Sequence, residues 1–166
     1  AGTRLWPNSK KNLPKQFIDW GGWTLFGKTL ERVKDSIFDY PIITTNSAYL
    51  NLVKKYLLKL KIKKYRIILE PFKKNTAPAI LSSALLNEVP YNQSMIFFTS
   101  DNLIGKINQF NKSIYSHKKY LSDNNIFIFG IKPTSHSSEY GYFITKKISK
   151  NLNKVDRFIE KPNKNK

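Results

Sequence analysis

Short apolar runs alternate with longer amphipathic stretches along the 166 residues of this chain. Four of the runs are rich in β-branched and aromatic residues and show no polar alternation, which is typical of strands covered on both faces. These four runs occupy residues 41–45, 65–70, 94–100 and 126–131. Two further strand-like stretches, at 140–147 and 155–162, are separated by a polar turn. The apolar pattern therefore predicts six strands.

Helix-like segments lie between the first four strands. One follows Asn46 or Ser47 as its cap, a second covers 76–88 with Pro78 near its first turn, where a missing N–H is tolerated, and a third follows Asp101. The apolar faces of the first and third contain Leu50, Val53, Leu57 and Leu60, and Ile104, Ile107, Phe110 or Asn111, Ile114 and Leu121. Because strands alternate with helices, we predict an α/β fold with a mostly parallel sheet.

Polar residues just beyond the predicted strands are the first candidates for a binding site, because ligands of open α/β sheets bind at the carboxyl ends of the strands. The segments concerned are 44–46, 70–76, 99–102 and 132–140. We expect the basic loop that opens the chain to join them at the same edge of the sheet. The sequence therefore predicts one composite site rather than several separate ones.

Charge and composition limit the class of function. Lys and Arg total 29 against 11 Asp and Glu, a formal net charge of +18. Most of the excess is lysine scattered beside asparagine and isoleucine, so we interpret most of it as solvated surface and give weight only to locally placed cations. The absence of cysteine excludes thiolate catalysis and cysteine-bound metal, and two histidines are too few for a histidine zinc site. No apolar run is long enough for a membrane span and no signal-peptide pattern is present, so a cytoplasmic protein is expected.

Two segments combine cations or free amides in a way that suits phosphate. In the opening loop, backbone near Gly2 could hold phosphate oxygens while Arg4 and Lys15 supply charge; a solvated basic loop is the alternative. At Asn75 and Thr76, the first N–H groups of a predicted helix could meet a base edge or a phosphate. The alternative there is an ordinary helix cap.

Two further segments place carboxylates at strand ends. Asp101 directly follows a predicted buried strand, where a carboxylate suits Mg²⁺, although it could instead cap the next helix. Glu160 and Lys161 could contact the hydroxyls and the phosphate of a sugar phosphate, or could form a surface ion pair. No one of these motifs decides between its two interpretations.

Taken in order, the motifs form a recognisable set. The segments GTRLWP, PKQF, ILEP with NTAPAI, a strand ending in SD, GIKPT, YGYF and FIEKP resemble those of the mannose-1-phosphate guanylyltransferases, in the sugar-nucleotide pyrophosphorylase (nucleotidyltransferase) superfamily. The resemblance implies a Rossmann-like nucleotidyltransferase fold with helices on both faces of the sheet. It also implies an incomplete domain over 1–162, lacking the family's first strand and C-terminal part, followed by a polar tail at 163–166.

The same resemblance implies transfer of GMP from GTP to mannose 1-phosphate, with Mg²⁺ as cofactor. The catalytic residues would be Arg4, Lys15 and Asp101, with Asp101 also binding the metal. Gly2 and Thr3 would line the triphosphate, and Trp6 and Phe17 would anchor the loop that surrounds it. The guanine would lie against Asn75, Thr76, Ala77 and Pro78, and the mannose phosphate would face Gly141, Tyr142, Glu160 and Lys161.

Three features depart from the family pattern. The glycines that usually precede GTRLWP are not present, Asn102 stands where relatives carry histidine, and Ser138 with Glu139 replaces a threonine and a glycine. A catalytically inactive fragment that still binds nucleotide is therefore an alternative, and a basic nucleic-acid-binding module is another. On the transferase interpretation we expect GTP and mannose 1-phosphate as partners, no nucleic acid and no membrane, with a homo-oligomer as one possible state of the full-length protein.

Overall fold

The computed structural model describes residues 13–72, 75–86, 88–121, 125–150 and 152–162. The chain divides into two compact units, Ala1–Leu121 and Ser122–Lys166. In chain order the elements are α1 (Leu25–Arg32), β1 (Ile42–Asn46), α2 (Leu50–Lys59), β2 (Arg66–Glu70), α3 (Thr76–Ala84) and α4 (Ile107–His117) in the first unit, and β3 (Tyr142–Ser149) and β4 (Leu152–Ile159) in the second. The described residues also form 3₁₀ turns at Lys15–Phe17, Ser47–Tyr49 and Lys118–Tyr120.

β1 and β2 form a parallel pair joined by α2. Their register runs from Ile42 opposite Arg66 to Asn46 opposite Glu70, so both carboxyl ends lie at one edge. This confirms the α/β fold with a parallel sheet and two of the predicted strands. The Asn46 side chain accepts a hydrogen bond from the Ala48 amide at 3.1 Å, and so caps the 3₁₀ turn that leads into α2.

The core of the first unit lies between α1, α2 and β1. Its buried members are Phe17, Phe26, Leu30, Ile43, Val53 and Leu57. Residues four apart on a helix share a face, which is why α1 contributes Phe26 and Leu30 and α2 contributes Val53 and Leu57. The α2 face is the predicted one, whereas α1 was not among the predicted helices.

The other two helices of this unit are shorter than their predicted segments. α3 begins at Thr76 as predicted and has Pro78 in its first turn, but it ends at Ala84. It contacts the parallel pair through Ser83, whose buried hydroxyl lies 3.1 Å from that of Thr44. α4 covers the central part of the third predicted helix.

The second unit contains an antiparallel pair formed by β3 and β4. Tyr142 lies opposite Ile159 at one end and Ser149 opposite Leu152 at the other, with irregularities after Ile144 and after Lys147. This confirms the strands predicted at the end of the chain, although β4 begins and ends three residues earlier than its predicted range.

Two predicted strands are wrong. Among the described residues, neither 94–100 nor 126–131 pairs with another strand. The first segment is held by its aromatic side chains: the Phe98 ring centroid is 5.9 Å from those of both Phe38 and Phe110. In the second segment Ile126 and Ile131 are each 93% exposed, so their β-branched side chains, which suggested a buried strand, have no layer packed over them.

None of the helices in the described ranges combines the length and the apolar character that a membrane span needs.

Candidate functional site

Lys15 begins the 3₁₀ turn of the PKQF segment. Pro14 precedes it in an extended conformation, and the Phe17 amide donates to the Pro14 carbonyl at 2.9 Å. Phe17 is 5% exposed and its ring centroid is 5.0 Å from that of Phe26. Phe17 is therefore part of the core, which fixes the backbone from which Lys15 extends. Its role in anchoring the triphosphate loop stays a prediction, because residues 1–12 lie outside the described residues.

Asp101 meets Lys15 at the surface of the first unit. Lys15 Nζ lies 2.5 Å from Asp101 Oδ2, and the two side chains are 37% and 34% exposed. Asp101 does not cap a helix, because α4 begins six positions further on, at Ile107, with Lys106 as its N-cap residue. The helix-cap interpretation of Asp101 is therefore wrong.

The Lys15–Asp101 ion pair adds little to stability. Partly exposed ion pairs contribute about 0–1 kcal/mol, because water and salt screen them. Either group can thus change partner at small cost, Lys15 to a phosphate oxygen and Asp101 to a cation. The ion pair therefore contributes little to holding the fold.

Asp101 is the predicted magnesium ligand. Within the described residues no group of three or more His, Asp or Glu side chains could hold a metal ion, so an all-protein metal cage is not formed there. Mg²⁺ commonly binds one or two carboxylates and completes its shell with water and substrate phosphate. A single, partly exposed carboxylate beside an ammonium group fits that second mode of binding.

The start of α3 has unusual backbone geometry. Asn75 occupies the N-cap position with φ 65° and ψ −165°, and its side chain makes no capping hydrogen bond. An ordinary cap is seen at α1, where Thr24 is extended and its hydroxyl accepts a hydrogen bond from the Gly27 amide. Positive φ with ψ near 180° is a region that residues with a Cβ avoid, and outliers of this kind concentrate at functional sites. The ordinary-cap interpretation of Asn75 does not describe this geometry.

The residues predicted to contact guanine are exposed at the end of β2. Asn75, Thr76, Ala77 and Pro78 are each exposed, and the first N–H groups of a helix carry partial positive charge. Between described residues, no hydrogen bond or ion pair joins these four to Lys15 or Asp101. The first unit therefore presents two features: the Lys15–Asp101 ion pair and the start of α3. At the start of α3, the Asn75 side chain does not cap the first amides of the helix.

The four residues predicted to face mannose phosphate lie together in the second unit. Gly141 and Tyr142 precede and begin β3, while Glu160 and Lys161 follow β4, and the Lys161 amide donates to the Tyr140 carbonyl at 3.1 Å. A Cβ at Gly141 would overlap the Phe158 ring and approach Glu160 Oε2 to 2.9 Å. A side chain at 141 would therefore displace the Phe158 ring and the Glu160 carboxylate.

Hydrogen bonds of Tyr142 order the loop before β3. Its hydroxyl donates to the Ser137 carbonyl at 2.8 Å and accepts from the Ser137 amide at 2.9 Å. Glu160 and Lys161 are more weakly coupled, since Lys161 Nζ lies 3.9 Å from Glu160 Oε1 and both side chains are more than half exposed. Both charges of that pair are open to a ligand.

Three predicted residues, Gly2, Thr3 and Arg4, lie outside the described residues, as does Trp6.

The structure also reveals a residue that the sequence did not indicate. Arg32, at the end of α1, is 2% exposed and lies next to the segment that carries Asp101. A charged residue on a helix is ordinarily expected to face solvent, so no feature of the sequence marks this one as buried.

The whole chain, residues 1–166, matches the protein family described as nucleotidyl transferase. It is 32% identical to the alginate biosynthesis protein AlgA of Pseudomonas fluorescens and 32% identical to the mannose-1-phosphate guanylyltransferase of Escherichia coli; each match covers 98% of this chain, and 35% and 37% respectively of those proteins. The chain thus spans about a third of the length of the curated relatives it matches.

A solved structure supports the fold. The Thermus thermophilus protein described as a mannose-1-phosphate geranyltransferase superposes with a TM-score of 0.79 at 24% identity, over 98% of this chain and 48% of that one. At that level of identity the likeness concerns the fold alone. The architecture expected from the sequence motifs is that of this solved protein.

Proposed function

Because the chain belongs to the nucleotidyl transferase family, we propose that it takes part in transferring GMP from GTP to mannose 1-phosphate, which yields GDP-mannose and pyrophosphate. The observation that carries this proposal is the contact between Lys15 and Asp101. Lys15 and Asp101 are far apart in the sequence and are each expected at the triphosphate, and they form an ion pair with each other. The similarity to the Escherichia coli mannose-1-phosphate guanylyltransferase supports the choice of sugar.

The proposed reaction needs no side-chain nucleophile. A phosphate oxygen of mannose 1-phosphate attacks the α-phosphorus of GTP, and the bond from that phosphorus to the α–β bridging oxygen breaks as pyrophosphate leaves. The protein's contribution is to align the reactants and to offset the charge that develops on the phosphates. The lack of cysteine and of a histidine base in this region is consistent with such chemistry.

In the first unit, Lys15 would leave Asp101 for a phosphate oxygen, and Asp101 would hold Mg²⁺. The metal, when bound, would offset negative charge on the phosphates. The uncapped start of α3 would lie against guanine, where exposed amides can meet the acceptor atoms of a base. In the second unit, Lys161 would meet the phosphate of the sugar phosphate and Glu160 its hydroxyls. The absence of nucleic-acid and membrane partners, the possible oligomer and the cytoplasmic location stay predictions.

The test is a coupled assay of pyrophosphate release from GTP and mannose 1-phosphate, run on the 166-residue chain. We expect Asp101→Asn and Lys15→Met to lower the rate by about 10²–10³, the usual effect of removing one group that stabilises developing charge. Asp39→Asn and Lys64→Met are matched controls, because Lys64 Nζ and Asp39 Oδ1 form an exposed ion pair of 3.1 Å elsewhere in the unit. Both controls should keep the wild-type rate.

Other outcomes would select the alternatives. Metal-dependent GTP binding without pyrophosphate release would indicate a nucleotide-binding protein that has lost catalysis. Oligonucleotide binding that weakens steeply with salt, without saturable GTP binding, would indicate a nucleic-acid-binding module. Equal pyrophosphate release by Asp101→Asn and the wild type would contradict the role given to Asp101.

A further inference from the structure

Arg32 is the most deeply buried charged side chain described in the first unit. It is 2% exposed, and burial lowers the pKa of its guanidinium from the ordinary value. A guanidinium nevertheless stays protonated inside a protein. Taking a charge out of water is unfavourable unless specific contacts compensate. A residue of this kind calls for an explanation beyond packing.

The contacts of Arg32 go to the segment that carries Asp101. Its Nη2 donates to the Asn102 carbonyl at 3.2 Å, and its Cζ lies 5.3 Å from the centre of the Phe98 ring. Within the described residues no carboxylate pairs with Arg32, and its Nε has no hydrogen-bond partner. The described polar interactions of this buried cation are therefore with residues 98 and 102, on either side of Asp101.

Phe98 gives the guanidinium a fixed surface to lie against. Its ring packs edge-on against Phe38, with an interplanar angle of 80°, and tilted against Phe110 at the start of α4. The Phe98 ring is therefore held from two sides, and Arg32 holds the other end of the segment by its hydrogen bond to Asn102. Residues 98–102 have no strand partner among the described residues, so side-chain contacts of this kind take the place of a ladder.

We propose that Arg32 is a positioning residue, whose guanidinium holds the 98–102 segment against the end of α1 and thereby places the Asp101 carboxylate where Lys15 meets it. The use made of that carboxylate rests on the proposed function, but its placement does not. A merely structural role would be filled as well by an apolar side chain, since replacing buried charges with apolar groups is often neutral or stabilising. The hydrogen bond to Asn102 and the cation–π contact with Phe98 instead use the donors and the charge of the guanidinium.

The first test measures the motion of this segment in the 166-residue chain without nucleotide. In Arg32→Met, which keeps an apolar stem and loses charge and donors, we expect backbone order parameters at 99–103 to fall from about 0.85 to below about 0.6. Val53 in the core should not change. Arg32→Lys keeps the positive charge but not the planar guanidinium, so it should show a large part of the same fall in order parameters. Lys28→Met is the matched control, because Lys28 pairs with Glu31 on the exposed side of the same helix.

The second readout is metal affinity, measured with Mn²⁺ in the presence of GTP. Loss of a residue that orients a metal ligand lowers affinity by about 10–100-fold, so we expect at least a tenfold loss in Arg32→Met and none in Lys28→Met. If Arg32→Met does not fold, Phe98→Leu removes the ring that the guanidinium contacts and should loosen the same segment. Unchanged order parameters at 99–103, or an equal loss throughout the unit, would overturn the positioning role. If the wild type binds no Mn²⁺ with GTP, the proposed function fails, whereas the order parameters still decide the role of Arg32.

Discussion

Asn75→Gly should stabilise the protein while weakening its proposed site. The Asn75 backbone, with φ 65° and ψ −165°, lies in a region that is essentially restricted to glycine because of the Cβ. Strain of this kind is worth about 1–3 kcal/mol. Glycine relieves the strain but adds about 0.4–1 kcal/mol of conformational entropy to the unfolded chain. The difference predicts a gain of roughly 1 kcal/mol in the free energy of unfolding.

The assay is urea unfolding of the 166-residue chain, with thermal unfolding as a second measure. For a chain of this size, a gain of about 1 kcal/mol raises Tm by roughly 2–4 °C. Asn75→Ala is the matched control, since it removes the amide but keeps the Cβ that causes the strain. Because the Asn75 side chain makes no capping hydrogen bond, we expect the alanine variant to be no more stable than the wild type.

The same variants test the link to function. If the strained backbone presents the Asn75 amide to guanine, GTP affinity should fall by about tenfold or more in both variants. A loss of this size is expected when one buried hydrogen bond is removed and its partner is left unsatisfied. Stability that rises as binding falls is typical of residues kept for function. A loss of stability in Asn75→Gly, or a gain of equal size in Asn75→Ala, would refute the argument from Cβ strain.

Three further substitutions probe local features. Thr24→Val removes the hydroxyl that accepts from the Gly27 amide, and urea unfolding should show a loss of about 1 kcal/mol; an unchanged midpoint would mean that this cap contributes nothing. Phe17→Ala should cost about 3–5 kcal/mol because the residue is buried in the core, and a thermal shift no larger than that of an exposed-site variant would contradict its anchoring role. Gly141→Ala should force the Phe158 ring to move at a cost near the lower end of about 1–3 kcal/mol, since that ring is half exposed. An unchanged Phe158 ring spectrum by NMR would count against the close approach.

Helix α2 and strands β1 and β2 were predictable from the sequence, the helix because the spacing of its apolar residues matches the positions that are buried. In α2, Val53 and Leu57 recur at helical spacing and are both 1% exposed. β1 and β2 are apolar runs of the length that a covered strand needs. By contrast, 94–100 and 126–131 have the composition of strands without being paired among the described residues. Residue preference indicates that a segment suits a ladder, but it cannot supply the neighbour that completes one.

The candidate site was predictable in its residues more than in its geometry. Motif order pointed to Lys15 and Asp101, yet their ion pair depends on how the core orients the turn ending at Phe17. The positive φ of Asn75 follows from tertiary constraint, since asparagine alone specifies no such angle. Arg32 could not have been singled out, because a charged residue in a short helix is expected to face solvent until the packing of Phe98 over it is known.

The central claim is that Lys15 and Asp101 meet at the triphosphate of a nucleotide, and calorimetric titration of GTP tests it most directly. The titration compares Mg²⁺ with EDTA, and the wild type with Asp101→Asn and with the control Asp39→Asn. The account predicts saturable binding in Mg²⁺ that weakens tenfold or more in EDTA and in Asp101→Asn, because losing one charged contact is worth about 1.5–3 kcal/mol, while Asp39→Asn binds as the wild type does. Binding that is the same in Asp101→Asn and the wild type, or that ignores Mg²⁺, would contradict it.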